Sequence, residues 1–218
     1  MQNSSPASCP TGAPRIRGRG RPRAFDRAHA LGQAMRLFWS KGFAATSISD
    51  LTAAMGIGSP SLYAAFGSKE ALYAEALRHY GEQYEASVWA NFAAARTARE
   101  AVAALLMDSA AALTGSCGRV EPLGCMVTLS AAGSEGHVEL GDLVRAARAR
   151  GLRRVGDRLD RAVAEGELGA SVDVPALARF VVTVQNGMSV QARDGASREA
   201  LEAVAHLTML GWEARVGG

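Results

Sequence analysis

Cysteine is scarce in this 218-residue chain, and what there is excludes a disulfide scaffold. Cys9, Cys117 and Cys125 are odd in number and lack framework spacing. Such usage suits a reducing compartment, so a cytoplasmic location is expected. Aromatic residues make up only 6% of the chain, and Ala, Leu, Val, Arg and Glu dominate, a composition that favours helix over sheet. No stretch alternates apolar and polar residues as a half-buried strand would. No apolar run is long enough to span a bilayer. Residues 1–14 are Ser, Pro, Ala and polar residues rather than the apolar core of a secretory leader, so no membrane partner is expected. Catalytic signatures are missing too: there is no zincin helix, phosphate loop, dinucleotide fingerprint or nucleophile elbow. His29, His79, His137 and His206 are scattered. Glu135, His137 and Glu139 alternate, which spreads them around a helix instead of along one face. The expectation is a protein with no enzymatic activity, no cofactor and no metal.

What is present is apolar bulk and segregated charge. Hydrophobic residues are 48% of the chain, enough for a core. Nine basic and four acidic side chains lie in residues 1–75, a net of +5, against a net of −2 over residues 76–218. Positive charge gathered at one end is the footprint of a polyanionic partner, nucleic acid before membrane. Residues 1–23 are low-complexity, with Arg15, Arg17, Arg19, Arg21 and Arg23 alternating with Gly, Ile and Pro. They hold little to bury and read as a disordered basic arm.

Helical periodicity begins after the arm. Ala28, Leu31, Met35 and Phe38 share one face, and Gly42 stops that helix. Ser47 opens a second helix, with Asp50 placed to reach back to the cap and Ile48, Leu51 and Met55 facing inward. Gly56-Ile57-Gly58 breaks it. Ser59 is expected to cap a third helix, with Pro60 in its first turn, Leu62 and Phe66 inward and Gly67 as the stop. Ser68 caps a fourth helix that carries Glu70 in its first turn and runs to about Ala95. Further helices are expected at 98–114, 124–132, 138–166, 174–192 and 197–214. Asp173 with Pro175, and Ser197, serve as caps for the last two.

Two short helices joined at a glycine, the second opening Ser-Pro, form the helix-turn-helix plan at 47–66. The turn needs a residue without a Cβ clash, and the second helix needs small polar groups outward to enter a major groove about 12 Å wide. The stretch Arg27 to Ala76 carries Phe38-Trp39-Ser40-Lys41-Gly42-Phe43 and Thr46-Ser47-Ile48-Ser49-Asp50-Leu51. It continues with Gly56-Ile57-Gly58-Ser59-Pro60-Ser61-Leu62-Tyr63 and Phe66-Gly67-Ser68-Lys69-Glu70-Ala71-Leu72. It resembles the TetR family of bacterial transcriptional repressors. The resemblance implies an all-α fold: an N-terminal three-helix DNA-binding bundle with the helix-turn-helix, plus a larger C-terminal helical domain for ligand binding and dimerisation. The implied division is an arm at 1–23, a DNA-binding domain at 24–70 and a ligand-binding and dimerisation domain at 71–218.

Matched residue by residue, the resemblance implies phosphate contacts from Tyr63 and Lys69. It implies base-edge contacts from Ser59, Pro60 and Ser61, and backbone or base contacts from Ser47 and Ser49. Ala64 and Ala65 stand where many members carry larger side chains, so direct readout is thin; Thr52 stands where Ala is usual. Arg19-Gly20-Arg21-Pro22 resembles an AT-hook core that would lay Arg19, Arg21 and Arg23 in a minor groove. The alternative is a solvated tail giving only sequence-independent phosphate attraction. Deleting residues 1–22 is expected to weaken operator binding and flatten its salt dependence in mobility-shift titrations; an unchanged salt slope would remove the arm from the interface.

The remaining two-thirds has less motif content. Leu177, Val181, Val184 and Met188 form a stripe, continued by Leu201, Val204 or Ala205, and Thr208. The family pairs its two final helices with their copies, which makes this stripe the expected homodimer interface; ordinary packing within the chain is the alternative. Trp89, Phe92, Met107, Met126, Leu129 and Phe180, with the amides of Gln185 and Asn186, are candidates to line a pocket for a largely apolar effector, or else to be plain core. Cys117 and Cys125 admit two readings, a thiol or electrophile sensor and small buried hydrophobes. The function expected is a one-component repressor that binds a palindromic double-stranded operator as a dimer and is released by a small molecule. An activator, a corepressor-dependent regulator, and a helical carrier or enzyme with a vestigial reader domain are the alternatives.

Overall fold

The structure, a computed structural model, describes residues 26–115 and 122–216. All of its regular elements there are helices: α1 (Arg27–Lys41), α2 (Ile48–Met55), α3 (Ser59–Phe66), α4 (Lys69–Ala94), α5 (Ala98–Leu113), α6 (Met126–Leu129), α7 (Val138–Ala164), α8 (Val174–Arg193), α9 (Arg198–Leu210) and α10 (Trp212–Val216). Residues 1–23, with Arg19, Arg21 and Arg23, and Cys117 lie outside the described residues.

Local chemistry sets most boundaries. Asp26 caps α1, Ser68 caps α4, Thr97 caps α5, Asp173 caps α8 and Ser197 caps α9, each accepting a backbone N–H of the first turn. Three expectations need correction. Ser59 is not the cap of α3: Gly58 takes that position in extended conformation, no side chain caps the helix, and Ser59 begins it. The helix expected at 124–132 shrinks to four residues, because Gly124 enters it at φ +74 and Ser130 leaves it extended. The last helix divides at Gly211 into α9 and α10.

Two hydrophobic cores divide the molecule, and α4 runs through both. The first holds Leu31, Met35 and Phe38 of α1, Leu51 of α2, Leu62 and Phe66 of α3, and Leu72, Tyr73, Ala76 and Leu77 of α4. Ala28 is exposed, so Ala30 and Ala34 take the place it was expected to fill. Phe38, Phe43 and Tyr73 form an aromatic knot, with Tyr73 edge-on to Phe38 at 5.0 Å and to Phe43 at 5.1 Å. Met126, Ala132, Leu140 and Val144, from α6, α7 and the turn between them, also close onto this core. The second core gathers α5, α7, α8 and α9 around Val102, Leu105, Leu159, Val181 and Leu201. Beside it the nearly buried Arg158 pairs with Glu167 at 3.1 Å, and Glu167 also accepts the backbone N–H of Ala98 at the start of α5. No described helix is long and apolar enough to cross a membrane.

The stripe expected to form a dimer face is largely consumed inside the chain. Leu177, Val181, Met188 and Leu201 are buried in the second core, and Val184 packs half-buried against it. Of the expected stripe Val204 of α9 stays in solvent while Ala205 is buried, and Val204 is joined there by Val190 of α8 and by Leu207 and Leu210 of α9. Thr208 is half-buried, its hydroxyl donating to the Val204 carbonyl at 2.8 Å. Periodicity finds the faces of a helix but does not say which one its own chain covers.

Candidate nucleic-acid interface and effector cavity

The exposed face of α2 and α3 is built from small residues and one tyrosine. Ser47, Ser49, Ser59, Pro60, Ser61, Tyr63 and Ala64 are all exposed, while Leu51, Met55, Leu62 and Phe66 face the core. The turn between the helices passes through Gly56 at φ +67, the left-handed region that favours glycine. Ser47 and Asp50 form a reciprocal capping box: the Ser47 hydroxyl accepts the Asp50 N–H at 3.0 Å, and the Ser47 N–H donates to Asp50 Oδ2 at 3.1 Å. The Ser47 backbone N–H, the Ser47 hydroxyl and Lys41 hold the Asp50 carboxyl below its ordinary value. The Thr52 hydroxyl donates to the Ser49 carbonyl at 3.0 Å, so the unusual threonine is satisfied within its own helix.

A longer-range clamp fixes the direction of α3. Arg27 of α1 makes a two-pronged pair with Glu75 of α4, Nη2 reaching Oε2 at 2.8 Å. The same guanidinium lies 4.5 Å over the Phe66 ring and donates to the Ala65 carbonyl at 3.3 Å. One side chain thereby ties α1, the last turn of α3 and the second turn of α4 together. The pair holds the Glu75 carboxyl below its usual range, mainly through the hydrogen bond from Arg27. Spacing alone cannot reveal a pair 48 residues apart. Lys69 begins α4 with its ammonium 4.3 Å over the Phe43 ring, which keeps the charge at that helix start.

The second site is a cavity of about 170 Å³ among α1, α4, α5, α7, α8 and the segment around α6. Its aromatic wall is Trp39, Tyr80, Tyr84 and Trp89. Tyr80 and Tyr84 stack at 4.9 Å, and Trp39 stands edge-on to both, at 5.0 and 5.2 Å. Its polar wall is Ser109, Thr128, Gln185, Asn186 and Ser189, and Arg148, Arg150 and Arg154 line it from α7. Gln185 donates to Ser109 at 2.8 Å, Thr128 to Asn186 at 3.2 Å, and the Cys125 N–H to Ser189 at 2.8 Å. Burial, reinforced by the neighbouring Cys125, pushes the Tyr80 phenol well above its usual value, so it stays neutral.

Of the expected pocket residues, the cavity brings together Trp89, Gln185 and Asn186. The others do not line it. Phe92 is buried in the second core with Met107 and Phe180 packed against that core, and Met126 belongs to the first. Leu129 presses on Gly124, where a Cβ would meet its side chain at 2.6 Å and the Ser189 carbonyl at 2.7 Å. Trp39, Tyr80, Tyr84 and the arginines escaped the sequence reading, although Tyr80, Tyr84 and Val88 recur at steps of four along α4. Cys125 lines the cavity half-buried. His137 packs edge-on against Phe43 at 4.5 Å, and no group of three metal-binding side chains occurs among the described residues.

Cavity and helix-turn-helix core meet at one joint. Trp39 belongs to α1, and its indole N–H donates to the Gly124 carbonyl at 3.1 Å. Arg193, at the end of α8, donates to the carbonyls of Leu123 at 2.8 Å, Trp39 at 2.9 Å and Ser40 at 3.3 Å. The last carbonyls of α1, which no helix turn can satisfy, thus have partners from the opposite end of the chain.

Comparison with known proteins agrees with this arrangement. The family profile described as "Bacterial regulatory proteins, tetR family" matches residues 30–76. The HTH-type transcriptional repressor ComR of Escherichia coli (strain K12) is 34% identical over 198 residues, covering 90% of this chain and 93% of that protein. The HTH-type transcriptional repressor BdcR of the same organism is 49% identical over 61 residues, 28% of this chain and 31% of that one. Among solved structures, the TetR family regulator CifR, a cysteine mutant complexed with 26-bp double-strand operator DNA, is 43% identical with a TM-score of 0.81. The match covers 88% of this chain and 100% of that one.

Proposed function

This chain belongs to the TetR family of bacterial transcriptional regulators, and from that premise we propose that it is a dimeric repressor released from its operator by a small molecule. The observation that carries the reading is the α2–α3 unit: a small, polar, exposed helix face held in a fixed direction by Arg27 and Glu75. Residues 24–70, with the first turns of α4, form the reader; the rest senses and dimerises. Ser59, Pro60 and Ser61 meet base edges, Ser47 and Ser49 the strand beside them, and Tyr63 and Lys69 the phosphates. With side chains this short, much of the specificity comes from the shape of the DNA and from the arm, where Arg19, Arg21 and Arg23 add charge.

The dimer face is the apolar strip in solvent, Val190 with Val204, Leu207 and Leu210. Gly187, exposed in the C-terminal half of α8, has open space where a Cβ would stand, and a glycine there lets a second helix approach closely. A two-fold axis through this face sets two copies of α3 about one helical turn of DNA apart, about 34 Å.

Release works through the joint. A ligand among Trp39, Tyr80 and Tyr84 touches α1 directly and favours a geometry with the two copies of α3 wrongly spaced. By linkage, operator DNA weakens ligand binding by the same factor. The test is a mobility shift with DNA flanking the protein's own gene; absence of any sequence-specific shift there would overturn the reading. Tyr63→Phe is expected to weaken binding several-fold, the value of about 1 kcal/mol for one hydrogen bond. Lys69→Gln is expected to weaken all sequences alike and lower the salt slope by about one. A ligand that tightens operator binding instead would make this a corepressor-dependent regulator.

A further inference from the structure

The cavity's charges all have one sign. Arg148, Arg150 and Arg154 line it, and no Asp or Glu lines it among the described residues. The three arginines are not equivalent. Arg148 is committed to the protein, donating to the carbonyls of Val127, Thr128 and Ser130 at 3.1, 2.8 and 2.7 Å and so capping α6. Arg154 lies 5.2 Å over the Trp89 ring. Arg150 is exposed and pairs with no described residue, and it stands where the cavity meets solvent.

The inner polar groups add hydrogen-bonding sites. Asn186 Oδ1 and the oxygens of Ser109 and Ser189 already accept hydrogen bonds. These groups still offer a ligand the Asn186 amide N–H groups and the serine hydroxyls as donors, and the Gln185 Oε1 as an acceptor. A cavity lined by three arginines and by no carboxylate among the described residues, with Arg150 pairing with no described residue, disfavours an ammonium and favours a carboxylate. Size narrows the choice. A cavity of about 150 Å³ takes benzene, and this one, of about 170 Å³, lies between aromatic faces.

We infer that the effector is a small amphipathic anion, one aromatic ring or an apolar body of that size bearing a carboxylate, with the ring between Trp39, Tyr80, Tyr84 and Trp89 and the carboxylate at Arg150. The inference rests on the cavity being the effector site.

The experiment titrates the full-length protein by calorimetry with 4-methylbenzoate, 4-methylbenzyl alcohol and 4-methylbenzylamine, which share a ring and differ in charge. Benzoate is expected to bind about tenfold tighter than the alcohol, with the amine weakest. Arg150→Gln, at an exposed position that does not threaten folding, is expected to erase the preference for benzoate and leave the alcohol's constant unchanged. Ala112→Phe, which fills the cavity, is expected to remove both. Equal binding of alcohol and benzoate, or benzoate binding unaffected by Arg150→Gln, would overturn the anionic effector and leave the cavity as an effector site, whereas benzoate binding unaffected by Ala112→Phe would overturn both. Failure of all three compounds would overturn both.

Discussion

Replacing Leu207 by Glu is expected to make the protein monomeric and lower its operator affinity at least about a hundredfold, because one reader must then hold the site alone. Leu207 is 67% exposed and Leu210 80%, against 46% for Val190 and 39% for Val204. Burying one such leucine is worth about 1.5–3 kcal/mol. A two-fold interface repeats every residue, so one substitution removes two leucines and brings two carboxylates into an apolar seam. Since Leu207 contributes little to its own chain's core, the variant is expected to keep its helical circular dichroism. Sedimentation should read a monomer at micromolar concentration. A dimer of unchanged mass would remove α9 from the interface.

Replacing Arg193 by Gln is expected to cost about 2–4 kcal/mol of unfolding free energy in urea, since hydrogen bonds to charged groups contribute about 1.5–3 kcal/mol and three carbonyls lose theirs at once. Arg193 holds Leu123, Trp39 and Ser40 with one planar guanidinium. Lys is expected to recover less than half of the loss, because a single ammonium cannot match three acceptors set around a fork. Amide exchange should speed up in the last turn of α1, where Gly42 closes the helix onto Phe38. Stability and exchange equal to the unaltered protein would make the contact incidental, and the route from cavity to reader would then run through Trp39 and α4 alone.

The helix-turn-helix and the cavity were not equally legible, and the difference has a physical cause. The Ser47–Asp50 capping box, the Gly56 turn, Pro60 in the first turn of α3 and the Ser68 cap are local devices. Each acts within four residues of itself, so each is visible in a string of letters. Even there the cap of α3 fell on Gly58, one residue early, because extended backbone alone was enough to start the helix. The cavity depends on distant partners. Trp39 reads as a core residue of α1 until Gly124 accepts its indole N–H, and that glycine is required because Leu129 and Ser189 crowd it. Met107 and Phe180 have the composition of a pocket lining but pack against the second core.

By itself, then, the sequence determined most of the helices and most of their caps, the basic end of the chain and the helix-turn-helix, since these follow from periodicity, capping chemistry and charge close along the chain. Only the tertiary structure decided which apolar stripe of α8 and α9 faces inward. Leu177, Val181 and Leu201 and their exposed neighbours Val190, Leu207 and Leu210 are equally apolar, and the choice between them is made by what the rest of the chain packs on. The same holds for Arg27 with Glu75 and for Arg193 with the end of α1. Each joins residues far apart in sequence, and no local rule brings them together.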